Sequence, residues 1–171
     1  MVRRIINLLK KVFYSNEKYA RQIGVSIGDK CKIATTNFGS EPYLIEIGNH
    51  VQITQGVRFF NHGAAWVFRE EIPAFDVFGK IKVGDNVYIG NNALIMPGVK
   101  IGDNVIIGAG AIVTKSVESN KVIAGNPAKV IGEVEDLKKR IAPYNLSSKG
   151  MSYEKKKTFL LSQPENKFLK K

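Results

Sequence analysis

Three residues of this chain have the chemistry to move protons or attack electrophiles near neutral pH: His50, His62 and Cys31. An imidazole can accept a proton from a hydroxyl and return it to a leaving group. His62 stands in Phe60-Asn61-His62-Gly63, at the start of a stretch rich in aromatic residues. That setting suits a general base exposed beside an aromatic surface. His50 lies in Ile47-Gly48-Asn49-His50-Val51, where later segments carry Asn86 and Asn104, so it reads as a turn residue. Cys31 falls in a small-residue slot of Ile27-Gly28-Asp29-Lys30-Cys31-Lys32 and reads as core packing rather than as a nucleophile. Two histidines fall short of a three-histidine zinc site, and no Cys-x-x-Cys is present, so no metal is expected.

The elements that must position these residues follow from a six-residue period. Ile47, Ile53 and Phe59, then Val83, Ile89, Ile95, Ile101, Ile107 and Val113, are all large and apolar. Four residues after each comes a small slot: Val51, Val57, Val87, Ala93, Val99, Val105, Ala111 and Val117, with Gly63 the one exception. Glycine follows the large residue at positions 48, 84, 90, 102 and 108. An α-helix, at 3.6 residues per turn, has no use for this period. A short strand and a tight corner, repeated, account for it, and three such units close a triangular coil. Coils then stack at about 4.8 Å and bury one another's apolar rungs. The spacing assigns coils to 47–64, 83–100 and 101–118, with partial coils at 25–36 and 119–132. The period breaks between Phe60 and Val83, so residues of about 61–80 must leave the coil wall as a protruding loop. The stretch 59–78 holds six of the sixteen aromatics: Phe59, Phe60, Trp66, Phe68, Phe75 and Phe78. Such rings stack on a sugar face or pack on the coil or a neighbouring subunit.

The formal net charge of +11 is confined to the ends. Residues 1–22 hold six basic residues and one acidic, and 136–171 hold ten and three. The body, 23–135, holds ten and eleven. A nucleic-acid reader carries its charge on the folded face that docks, so no nucleic-acid partner is expected. The chain is read as an N-terminal basic amphipathic helix (1–22), a repeat domain (23–135) and a basic C-terminal extension (136–171). Ile5, Leu9, Val12 and Phe13 share one helical face. That face suits packing on the body or on another subunit. It also suits peripheral contact with an anionic membrane. No apolar run is long enough to span a bilayer, and Lys10 and Lys11 interrupt what would be a signal-peptide core. With a single cysteine, a cytoplasmic location is expected.

The run Val83-Gly-Asp-Asn-Val-Tyr-Ile-Gly-Asn-Asn-Ala-Leu-Ile-Met-Pro-Gly-Val-Lys-Ile-Gly-Asp-Asn-Val-Ile-Ile-Gly-Ala-Gly-Ala-Ile-Val-Thr-Lys115 resembles the hexapeptide-repeat acyltransferases. The segment Ala124-Gly125-Asn126-Pro127-Ala128-Lys129-Val130-Ile131 resembles the end of their repeat domain. Within that family the chain is similar to sugar and polysaccharide O-acetyltransferases of the maltose and galactoside type, over residues of about 23–135. The resemblance implies an all-β fold, a left-handed parallel β-helix of hexapeptide repeats with helical N- and C-terminal extensions. It implies a homotrimer, acetyl-coenzyme A as co-substrate and a saccharide acceptor, with no covalent intermediate. It places His62 as the general base. Tyr88, Asn91, Ala109, Thr114, Lys115 and Lys129 would line the donor, the two lysines facing its phosphates. Asn37, Glu41 and Trp66 would face the acceptor. Relatives often read His-Asp-Gly where this chain reads His62-Gly63-Ala64, so the group that orients the imidazole must be sought among Glu41, Glu46 and Glu70. Antibiotic O-acetylation and a non-catalytic β-helix are the competing readings.

Overall fold

A computed structural model describes residues 14–170 of the chain. The amphipathic face of Ile5, Leu9, Val12 and Phe13 lies outside the described residues. The chain divides into two units at Val134/Glu135.

Among the described residues the first unit begins with a short helix, α1 (Asn16–Ile23), capped by the Ser15 side chain and ended by Gly24 at φ +111°. The coil follows in thirteen strands of two to five residues: β1 (Ser26–Ile27), β2 (Lys32–Ile33), β3 (Ile45–Ile47), β4 (Gln52–Ile53), β5 (Arg58–Phe59), β6 (Ile81–Val83), β7 (Tyr88–Ile89), β8 (Leu94–Ile95), β9 (Lys100–Ile101), β10 (Ile106–Ile107), β11 (Ile112–Val113), β12 (Lys121–Ala124) and β13 (Lys129–Glu133). They form three walls. One stacks β1, β3, β6 and β9, the second β2, β4, β7, β10 and β12, the third β5, β8 and β11. All these pairs are parallel; β13 then folds back antiparallel on β12 and ends the stack.

The register puts like rungs over like. Ile27, Ile47, Val83 and Ile101 form one inward column, and Ile33, Ile53, Ile89, Ile107 and Ile123 the second. Phe59, Ile95 and Val113 form the third. The large rungs from Ile47 to Val113 and the small slots from Val51 to Ala111 are all buried. Cys31 is half-buried and packs against this core. Ala20 of α1 is also buried in it, so the helix covers the first coil.

Two features depart from the strict six-residue step. The first coil extends past residue 36: Asn37 pairs with Arg58, and the Phe38 ring stacks on Phe59 at 5.4 Å. The fourth coil is short by two residues at its last corner. Val117, assigned by spacing to a small slot, instead lies over Ile101, sixteen positions away rather than eighteen. The stack absorbs this because β12 then resumes the register, Ile107 over Ile123.

The glycine after each large rung has a reason other than the corner. A Cβ on Gly48 would sit 2.8 Å from the carbonyl carbon and oxygen of Gly84 in the next coil, so contact between coils excludes a side chain. The left-handed corner belongs to other residues: Lys30, His50, Asn86, Asn104 and Asn120 all have φ between 53° and 67°. The side chains of the last four form a ladder. His50 Nδ1 lies 2.8 Å from Asn86 Oδ1, Asn86 donates to Asn104 at 2.7 Å, and Asn104 donates to Asn120 at 3.2 Å. His50 is thus a corner residue, as the comparison with Asn86 and Asn104 suggests.

The second unit carries α2 (Val134–Ile141) from Glu135 onward and α3 (Tyr153–Leu161), in neither of which any residue is buried. Among the described residues no helix is long and apolar enough to cross a membrane.

Candidate active site

The site is built where the coil opens. Residues 37–41 run beside 58–62 and touch them in order. Asn37 pairs with Arg58, Phe38 stacks on Phe59, Gly39 lies against the Asn61 side chain, and Glu41 meets His62. After His62 the chain leaves the wall, and it returns where the Gly79 N–H donates to the Asn61 carbonyl at 2.6 Å. His62 also bridges to Phe78, whose ring meets the imidazole edge-on at 5.4 Å. Buried Pro42 opens a short 3₁₀ turn, Pro42–Leu44, that ends the Glu41 segment.

His62 Nδ1 lies 2.7 Å from Glu41 Oε2. The histidine side chain is 41% exposed and the glutamate 16%. A carboxylate only accepts, so Nδ1 carries the shared proton, and in the neutral ring the lone pair is on Nε2. The Glu41 carboxylate therefore orients the imidazole and leaves Nε2 as the nitrogen able to accept a proton. Among the three acids considered for this place, Glu46 pairs instead with Lys82 at 3.5 Å, and Glu70 lies with Trp66, Val67 and Arg69 around a separate shallow pocket.

The remaining expected site residues are spread over several places on the coil and its loop. Lys115 and Lys129 come together, lining a cleft of about 370 Å³ with Val113, Ser116, Glu118 and Lys121. Lys121 is hydrogen-bonded to Glu133, and this bond, helped by the charges of Glu133 and Glu118, holds its ammonium above the usual lysine range against the opposing effect of burial. Asn91 and Ala109 stack at the corner between the second and third walls, where the Gly110 N–H donates to the Asn91 carbonyl at 2.8 Å. Tyr88 is exposed on β7 and Thr114 follows β11, so neither lies in the lysine cleft. Asn37 lines a third, polar cleft with Asn16, Thr36 and Gln55. Trp66 stands 81% exposed in a short 3₁₀ turn, Ala65–Phe68, and the aromatic that touches His62 is Phe78. Phe59, counted with the loop aromatics, is a core rung. Among the described residues no cluster of metal-binding side chains occurs.

The sequence family described as bacterial transferase hexapeptide (six repeats) matches residues 80–115, and the hexapeptide repeat of succinyl-transferase matches 20–35. Protein CapG of Staphylococcus aureus is 46% identical over an alignment of 173 positions that covers 98% of this chain and 99% of that protein. The chain belongs to the hexapeptide-repeat acyltransferase family. It is an acyltransferase, and its coil is the left-handed β-helix of that family. A maltose O-acetyltransferase from Clostridium difficile 630 superposes with a TM-score of 0.59 at 29% identity, over 69% of this chain and 74% of that one. A galactoside acetyltransferase solved in complex with coenzyme A superposes at 0.56 and 26% identity, over 81% and 82%.

Two features of this candidate site escape sequence reasoning. Phe78 is only one of six aromatics in its stretch, and nothing in the spacing singles it out. Asn61 is 1% exposed, and neither polar atom of its amide has a hydrogen-bond partner among the described residues. Its position directly before His62 was the available signal.

Proposed function

We propose that the enzyme transfers an acetyl group from acetyl-coenzyme A to a hydroxyl of a saccharide, with His62 as general base and Glu41 as the residue that orients it. The observation that carries this reading is the 2.7 Å contact between Glu41 and His62 Nδ1 at the mouth of the coil. The acceptor hydroxyl gives its proton to Nε2 as its oxygen attacks the thioester carbonyl carbon. The carbonyl oxygen takes the charge in the tetrahedral intermediate. The C–S bond then breaks, and the imidazolium returns the proton to the departing thiolate. The developing imidazolium is stabilised by the Glu41 carboxylate.

The donor is acetyl-coenzyme A by kinship with a galactoside acetyltransferase that binds coenzyme A. The paired cations of Lys115 and Lys129 suit its phosphates. Tyr88, Asn91, Ala109 and Thr114 would hold the rest of the donor; Asn37 and Trp66 would face the sugar. The half-exposed His62 and the exposed Trp66, Val67, Phe68 and Phe78 support a site closed by a neighbouring subunit in a homotrimer.

The test is free-thiol release from acetyl-coenzyme A against a panel of sugars and hydroxylated antibiotics. A sugar is expected to be turned over. His62→Ala is expected to lower kcat by about 10²–10⁴-fold with melting temperature unchanged, and His50→Ala to retain activity. Turnover of antibiotics alone would overturn the saccharide assignment, and a fully active His62→Ala the mechanism. Light scattering that gives a monomer at micromolar concentration would overturn the shared site.

A further inference from the structure

Asn61 sits in a slot that stability alone does not explain. It is buried between the Phe59 rung and His62, and its amide nitrogen and oxygen have no hydrogen-bond partner among the described residues. A buried polar group without a partner costs about 1–3 kcal/mol, and an apolar side chain of the same shape avoids that cost. Leucine is nearly isosteric with asparagine, so the position has an inexpensive apolar alternative.

The contacts of Asn61 indicate what the residue does there. A Cβ built on Gly39 would run into the Asn61 amide oxygen and lie 3.4 Å from its Cγ. The α-hydrogen of Gly39 that occupies this direction therefore points at the amide oxygen, a weak C–H···O contact. Gly39 has φ +69°, a conformation that favours glycine, so the residue can present its bare face to the amide. Glu41 is two residues further on. The residue after Asn61 is His62, and the Asn61 carbonyl oxygen receives the Gly79 N–H that closes the loop. The Asn61 side chain is thus the spacer between the segment that brings Glu41 and the segment that brings His62.

We infer that Asn61 is a positioning residue: its amide, packed on Gly39, sets the distance from Glu41 to His62 Nδ1 and so fixes the tautomer of the base. This rests on the proposed role of the Glu41–His62 pair for its effect on rate, but not for its effect on the imidazole.

The chain contains two histidines, so ¹⁵N-histidine NMR of the full-length protein resolves both rings. In the native protein His62 is expected to be a single tautomer protonated at Nδ1. Asn61→Leu is expected to fold with an equal or higher melting temperature, yet to show His62 as a mixture of tautomers. His50, bonded to Asn86, is the unaffected internal reference. In the thiol-release assay Asn61→Leu is expected to lower kcat by about tenfold with the KM for acetyl-coenzyme A unchanged. Asn61→Ala is the second variant, made with and without Glu41→Gln; its loss in kcat is expected to shrink when the carboxylate is already gone. An unchanged His62 tautomer in both Asn61 variants overturns the inference, as does a kcat loss that is fully additive with Glu41→Gln. If His62→Ala proves harmless, the catalytic proposal fails, and the NMR result alone decides the role of Asn61.

Discussion

Removal of the Glu41 carboxylate tests the core of the site. In the folded protein this group lies 2.7 Å from His62 Nδ1 with its side chain 16% exposed, while the imidazole is 41% exposed. Two full charges about 4 Å apart interact by about 1 kcal/mol in water and about 4 kcal/mol at the effective dielectric of a protein surface. The exposure of His62 places the pair between these limits. Hydrogen bonds to charged groups contribute about 1.5–3 kcal/mol, in the same range. In the proposed mechanism the imidazole gains a positive charge as it takes the acceptor's proton, and that charge is what the Glu41 carboxylate would stabilise in the transition state. Glu41→Ala is therefore expected to lower kcat by about 10–100-fold, at about 1.4 kcal/mol per decade. The KM for acetyl-coenzyme A should stay within about twofold. Glu41→Gln keeps an acceptor for the Nδ1 proton and loses the charge, so its kcat is expected to fall between those of Glu41→Ala and the native enzyme. The assay is initial-rate thiol release at saturating donor. A Glu41→Ala enzyme with native kcat, or one impaired in KM alone, would refute the reasoning.

Gly48→Ala is expected to destabilise the fold by about 1–3 kcal/mol, since its Cβ would meet the Gly84 carbonyl at 2.8 Å and force two coils apart. Gly63→Ala is the control, with nothing within 4 Å of the new Cβ, and should leave the melting temperature unchanged. The Lys121 ammonium, held above the usual lysine range by its bond to Glu133, contributes stability that is fully present below that range and is lost as pH rises through the raised value. Thermal melts across the alkaline range should therefore show a steeper loss in the native protein than in Glu133→Gln.

The parallel coil, its inward rungs and the presence of a loop leaving the coil between Phe60 and Val83 were legible in the sequence; that the exit comes only after His62 was not. A period of six leaves no other regular element to choose, and each rung is set by its own spacing and apolarity. His50 as a corner residue was legible for the same reason, by its place in the repeat beside Asn86 and Asn104. The terminus of the coil was only partly legible: a corner shortened by two residues moves Val117 from a small slot onto the Ile101 column, and local pattern cannot distinguish the two places. The choice of Glu41 over Glu46 and Glu70 came only from tertiary structure, because 21 residues separate Glu41 from His62 and their contact depends on how the first coil lies beside the second. The same holds for Phe78 at the imidazole edge and for the buried amide of Asn61. Repetition encodes what stacks on its own kind; the site uses the residues that interrupt the repeat, and only the folded chain decides which of those meet.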